Sequence, residues 1–139
     1  MKDVLLMKIL ALDLGDVWTG TALSDGLKMF ARPYQTVKTP DLVSFLEATF
    51  KEHKISAVVV GYPKTLKGTE SQQTLKIVKE KEELAKQFPQ FEWVLWDERM
   101  TSKQAQKIKN KKEDKQKIHS IAAALILETY LMYLQVHTN

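Results

Sequence analysis

Cysteine is absent from the 139 residues. That excludes disulfides and cysteine-based zinc sites, and it fits an intracellular, cytoplasmic setting. Long uncharged apolar runs are absent too. No window of about 18 residues is apolar throughout, so no membrane-spanning helix and no membrane partner is expected. The opening segment is apolar but interrupted by Lys8 and Asp13, and no small-residue cleavage site follows. It reads as a buried strand rather than a signal peptide. Arginine is scarce, with only Arg32 and Arg99. No internal repeat, low-complexity tract or dividing linker is visible. Residues 1–139 therefore read as one domain, long enough to bury its own core.

What is present is an ordinary soluble composition, 44% hydrophobic and 27% charged, with a net charge of +4. A mild positive excess suits a polyanionic partner without requiring one. The distribution is more telling. Residues 103 to 117 hold seven lysines against Glu113 and Asp114. Two readings stay open for that run: a surface that tracks a nucleic-acid backbone, or a solvated helix face.

Apolar periodicity places a central strand over residues 7–14 and a second over 19–24, joined by a turn through Gly15 and Asp16. A third strand is expected over 34–38, after Arg32-Pro33. Thr39-Pro40-Asp41 reads as a helix start, with threonine as N-cap and proline in the first turn. Leu42, Phe45, Leu46 and Phe50 give that helix its apolar stripe. Residues 55–60 are β-branched and continuous, which suits a buried strand parallel to the first. Thr69 with Gln72 forms a capping-box pattern for a helix over 70–87. A fifth strand follows at 91–96. Thr101 with Gln104 opens a lysine-rich helix, 110–115 is a loop, and 116–134 is the last helix. The order predicts an α/β fold: a mixed five-stranded sheet, an antiparallel meander plus two parallel strands, with flanking helices. Ligands in such sheets gather where strand ends open into a crevice.

Three places carry residues suited to chemistry. Asp13 puts a carboxylate in an apolar strand, which is costly unless it is paired, hydrogen-bonded or on a metal. It caps the turn at Gly15 or it belongs to a site. Asp97-Glu98-Arg99 follows the fifth strand directly, so either acid can converge on Asp13 if the two strands lie close. Hard divalent cations take such oxygen ligands. The alternative is a surface acid–arginine pair. His119 stands near the start of the last helix, where Ala122, Ala123 and Ala124 allow close approach to the sheet. It is a metal ligand or proton shuttle, or it is structural.

Together these segments resemble the YqgF family, also called RuvX. Asp13-Leu14-Gly15 through Gly20, Ala22 and Ser24-Asp25 is similar to its opening motif. Val60-Gly61-Tyr62-Pro63 with Gly68-Thr69-Glu70 is similar to its second loop. Asp97-Glu98-Arg99-Met100-Thr101 matches its D-E-R-x-T signature. Lys117-Ile118-His119-Ser120-Ile121-Ala122-Ala123 through Tyr130-Leu131 matches its closing helix. The resemblance implies a ribonuclease H-like fold and a metal-dependent nuclease. The implied work is processing of the 5′ end of pre-16S ribosomal RNA or resolution of branched DNA, by a monomer or homodimer. It implies Asp13 and Glu98 as carboxylates for Mg²⁺ or Mn²⁺; His119 is the expected third catalytic and metal-binding residue on this chain's own reading. Arg99, Lys117 and Lys64 are the expected substrate contacts.

Two positions depart from the family pattern. Trp18 stands where the family usually has a basic residue, and His119 where it usually has aspartate. Two carboxylates in place of three should weaken Mg²⁺ binding and favour Mn²⁺. Trp18, Tyr62 and Trp96 are candidates to stack on bases, against turn packing for Trp18 and core filling for Trp96. Two other classes compete with the nuclease. One is a nucleic-acid-binding or ribosome-assembly factor with a degenerate site, favoured by Trp18 and His119. The other is an actin-type ATPase, which needs two such domains where 139 residues supply one.

Overall fold

The computed structural model describes residues 6–62, 72–97 and 115–137. Five strands run in the spatial order β3-β2-β1-β4-β5. They are β1 (Lys8–Asp13), β2 (Trp18–Ser24), β3 (Ala31–Lys38), β4 (Ile55–Tyr62) and β5 (Glu92–Asp97). β1 pairs antiparallel with β2, and β2 with β3; β1 pairs parallel with β4, and β4 with β5. The three helices described are α1 (Leu42–Glu52), α2 (Gln72–Gln87) and α3 (Lys115–His137). The expected capping pairs at Thr69 and Thr101, the lysine-rich helix and most of the 110–115 loop lie outside the described residues.

Alternation along the strands splits the apolar residues between two layers. Leu10, Leu12, Leu23, Val58 and Val60 pack with Leu42 and Leu46 of α1 and Ile77 and Leu84 of α2. Ile9, Ala11, Ala22, Ala57 and Val59 pack with Ala123, Ile126, Leu127 and Leu131 of α3. β1 and β4 are buried on both faces, which is why they read as nearly continuous apolar runs. α3 is long and apolar enough to cross a membrane. Its apolar content has another use here, because one face covers the sheet.

Two local expectations need correction. Thr39 is not a helix N-cap. Residues Thr39–Asp41 form a separate 3-10 turn, and α1 begins at Leu42 without a side-chain cap. The Thr39 hydroxyl instead donates to the Gly15 carbonyl at 2.6 Å and lies 3.0 Å from the Thr19 hydroxyl. A short polar side chain takes whichever backbone group is nearer, and here that is the β1–β2 turn. The third strand also starts earlier, at Ala31, so it includes Arg32 and Pro33. A register shift between Gly20 and Ala22 makes room. Thr21 fills the irregularity, donating to the Gln35 carbonyl at 2.6 Å and accepting from its N–H at 2.9 Å. Proline is tolerated beside such a bulge.

Ser24-Asp25, part of the opening motif, has a structural task at the far end of the sheet. The Ser24 hydroxyl accepts the Ile9 N–H at 2.8 Å, where the β1–β4 register shifts. Asp25 Oδ1 accepts the N–H groups of Met29 and Phe30, both at 2.8 Å, and so closes the β2–β3 loop. Partial burial pushes the Asp25 pKa up, but these N–H donors outweigh it and the net shift is downward. A lowered folded-state pKa adds stability above the unfolded-state value, lost as pH falls through the folded one. Asp25→Ala should therefore cost about 1 kcal/mol at neutral pH, by analogy with a lost helix cap. Urea melts should show wild type and variant converging below a pH of about 4. A gap that stays constant down to strong acid would refute this role.

Candidate active site

The carboxyl ends of the parallel strands β1, β4 and β5 share one edge of the sheet with the start of β2. Asp13 ends β1 and is half-buried. It is in phase with Ile9 and Ala11, so it belongs to the face covered by α3. Its partner across the antiparallel ladder is Gly20. One step beyond the Leu12–Val60 pair, β4 carries Gly61, which lies opposite Trp96 of β5. Asp13 is thus flanked on its own face by two residues without side chains.

Gly20 determines where α3 begins its contact with the sheet. A Cβ on Gly20 would lie 1.9 Å from the His119 carbonyl oxygen and 2.7 Å from the Ser120 nitrogen. The helix backbone therefore rests directly on the strand beside Asp13. His119 is brought to the Asp13 level at its backbone, as the alanine-rich helix predicts. Ala123 and Ala124 are buried against the same sheet face. Lys117 is exposed two residues earlier. Its carbonyl accepts the Ser120 hydroxyl at 3.1 Å.

The β1–β2 turn above this site is held from two sides. Thr39 binds Gly15 through its hydroxyl, and its N–H donates to the Val17 carbonyl at 2.9 Å. A Cβ on Gly15 would lie 2.3 Å from the Trp18 carbonyl oxygen, so the turn needs glycine there. On the solvent side Lys76 of α2 pairs with Asp16, and that hydrogen bond with its Coulomb attraction raises the Lys76 pKa. Both groups are mostly exposed, so the pair adds little to stability.

Asp97 is in phase with Trp93 and Leu95, which pack on the α1–α2 side. It therefore does not share the face of Asp13. Tyr62 also packs against that α1–α2 layer. Trp96 fills the α3 layer, with Tyr130 and Tyr133 at ring distances of 5.2 and 5.1 Å. Glu98, Arg99 and Lys64 lie outside the described residues. Among the described residues, no group of three histidine or acidic side chains is close enough to hold a metal ion. Asp13 and His119 are brought to one level of the sheet at their backbones, through Gly20. Sequence reasoning passed over Gly20 as a helix seat and Lys38 as the partner of Trp18. A lone glycine inside a strand pattern is the available signal for the first; the second needs the register.

The solved structures similar to this chain define its class. RuvC of Thermus thermophilus in complex with a Holliday junction substrate superposes with a TM-score of 0.59 at 19% identity, covering 95% of this chain and 97% of that one. A second Thermus thermophilus RuvC structure gives 0.56 at 14% identity, covering 94% and 97%. The fold is the ribonuclease H-like α/β fold of RuvC. The family model described as RuvX, Holliday junction resolvase, matches residues 7–133, and the chain belongs to that family. Two relatives share the name "Putative pre-16S rRNA nuclease". The one from Christiangramia forsetii is 41% identical over 133 residues, covering 91% of this chain and 98% of its own. The one from Rubrobacter xylanophilus is 35% identical over 127 residues, covering 89% and 91%.

Proposed function

We propose that this chain is a metal-dependent endonuclease that hydrolyses phosphodiester bonds in structured nucleic acid. One observation carries the reading: Asp13 ends the central strand between two glycines, with the start of α3 seated beside it. The processing of the 5′ end of pre-16S ribosomal RNA is the favoured task, supported by the shared name of the relatives at 41% and 35% identity. Branched DNA is the second substrate, supported by family membership. The working unit is a single domain, acting in the cytoplasm.

Asp13, Glu98 and His119 are the residues that would hold the ion. Asp97, the last described residue of β5, is in phase with Trp93 and Leu95 on the α1–α2 side, and Glu98 follows it directly in the sequence. β1 and β5 are separated by one strand, so about 10 Å lies between their backbones. When bound by these residues, a divalent ion would lower the pKa of a water and offset charge on the phosphate. Asp13 and Glu98 set the position of that chemistry. His119 adds a nitrogen donor without adding negative charge. Arg99, Lys64 and Lys117 orient the phosphates of the substrate. Hydrolysis joins the water oxygen to phosphorus, and one P–O ester bond breaks.

Labelled precursor RNA and a four-way DNA junction should be incubated with the purified chain under Mg²⁺ or Mn²⁺ titration. Cleavage should require the ion, and Mn²⁺ should support it at lower concentration than Mg²⁺, because imidazole suits the softer ion. Tight Mg²⁺ binding with no Mn²⁺ preference would count against His119 as a ligand. Salt-sensitive binding without any cleavage would replace the enzyme with the binding-factor reading.

A further inference from the structure

The chain has three tryptophans, and two of them are fully engaged. Trp93 packs in the α1–α2 layer and donates its indole N–H to the Phe88 carbonyl at 2.9 Å. Trp96 packs in the α3 layer and donates to the Thr129 hydroxyl at 2.9 Å. Trp18 belongs to neither apolar layer. Among the described residues its ring meets no other aromatic ring and its N–H has no acceptor. Burying a large aromatic surface is the usual reason for a tryptophan, and a polar tip normally finds a partner. Trp18 is half-buried at the start of β2, but it joins neither layer and its polar tip has no acceptor among the described residues, although its backbone is firmly placed.

That placement is next to the candidate site. Trp18 precedes Gly20 by two residues, so it is on the α3 face with Asp13. Since Asp13 pairs with Gly20, Trp18 is its diagonal neighbour, about 7–8 Å away between backbones. Lys38 is directly opposite Trp18 across the β2–β3 ladder, shares its face, and is exposed. Val17 beside it is 64% exposed. The mount is rigid: Thr39 holds Gly15 and Val17, and Gly15 packs under the Trp18 carbonyl.

We propose that Trp18 and Lys38 form a nucleotide-binding step beside Asp13. The indole stacks on an unpaired base, and the Lys38 ammonium takes a neighbouring phosphate. A base inside a duplex already has neighbours on both faces, so an aromatic platform selects bases that are looped out, terminal or single-stranded. The substrate class is therefore nucleic acid with unpaired nucleotides next to the scissile phosphate, rather than continuous duplex. This rests on the nuclease reading above.

Fluorescence anisotropy without divalent metal tests it, using RNA and DNA hairpins with a single-stranded tail and matched blunt duplexes. Trp18→Ala should weaken binding to the tailed hairpins by about 5- to 150-fold, the cost of one lost base stack, and leave blunt duplex nearly unchanged. Trp18→Phe should bind like the wild type, and Trp18→Leu, which keeps apolar bulk without an aromatic face, like the alanine variant. Lys38→Ala should weaken both ligands and lower the salt slope by about one phosphate contact. Equal losses on tailed and blunt ligands, or leucine and phenylalanine variants that behave alike, would overturn the stacking role. A wild type that binds no nucleic acid at all would overturn the nuclease reading with it.

Discussion

Asp13→Asn should abolish cleavage and leave both the fold and nucleic-acid binding nearly intact. Asparagine has the same shape, so the end of β1 and its pairing with Gly20 can persist. Removing the charge from a half-buried strand end lowers a desolvation cost rather than adding one. What disappears is the carboxylate that would hold the divalent ion. Losing an outer-shell partner of a metal ligand already costs about 10- to 100-fold in activity, so loss of the ligand itself should exceed about 100-fold. The lysines that grip phosphate are untouched, so affinity measured without metal should stay within a few-fold. Three measurements decide it: cleavage of labelled RNA and junction, the melting temperature, and anisotropy. Full cleavage by a folded Asp13→Asn protein would mean that Asp13 serves the turn and that the reaction lies elsewhere, or that a contaminant performs it. Lost cleavage with a collapsed melting temperature would support only a structural role.

The features that make Asp13 testable were partly legible in the sequence. β1 and β4 read correctly because strands buried on both faces show continuous apolar runs, and these two are the central parallel pair. The phase of Asp13 followed from Ile9 and Ala11. The choice between Asp97 and Glu98 was also present in the alternation around Trp96, and β5 now places Asp97 with Trp93 and Leu95. Other features depended on contacts far apart in the chain. Thr39 looked like a helix cap because proline and an acid follow it, yet its hydroxyl bonds a carbonyl 24 residues earlier. Ser24-Asp25 reads as part of the opening motif that begins at Asp13, and its contacts satisfy backbone groups at the opposite end of the sheet. Trp18, Trp93 and Trp96 are equivalent as letters; only packing separates the two that fill layers from the one that joins neither.

Gly20→Ala should be the most damaging single methyl addition in this region. In most strands alanine is no worse than glycine, and it removes unfolded-state entropy, so a modest gain would be the default. Here the new Cβ would lie 1.9 Å from the His119 carbonyl oxygen and 2.1 Å from its carbon. Those atoms belong to a helix backbone, which cannot rotate away as a side chain can. Either α3 lifts off the sheet at its start or β2 is pushed down against the α1–α2 layer. Overpacking of this kind costs about 1–3 kcal/mol, and a backbone clash belongs at the upper end. A domain of this size has about 5–15 kcal/mol in total, so the melting temperature should fall by about 10 °C. Activity should fall further than stability alone dictates, even at temperatures where the variant is fully folded. Lifting the helix displaces His119 and Lys117 from Asp13, while Asp13 itself stays in its strand. Metal affinity should drop with it, and Mn²⁺ preference should weaken, since the nitrogen donor is the group displaced. Unchanged melting and unchanged Mn²⁺ dependence in Gly20→Ala would show that α3 does not hold His119 in the site.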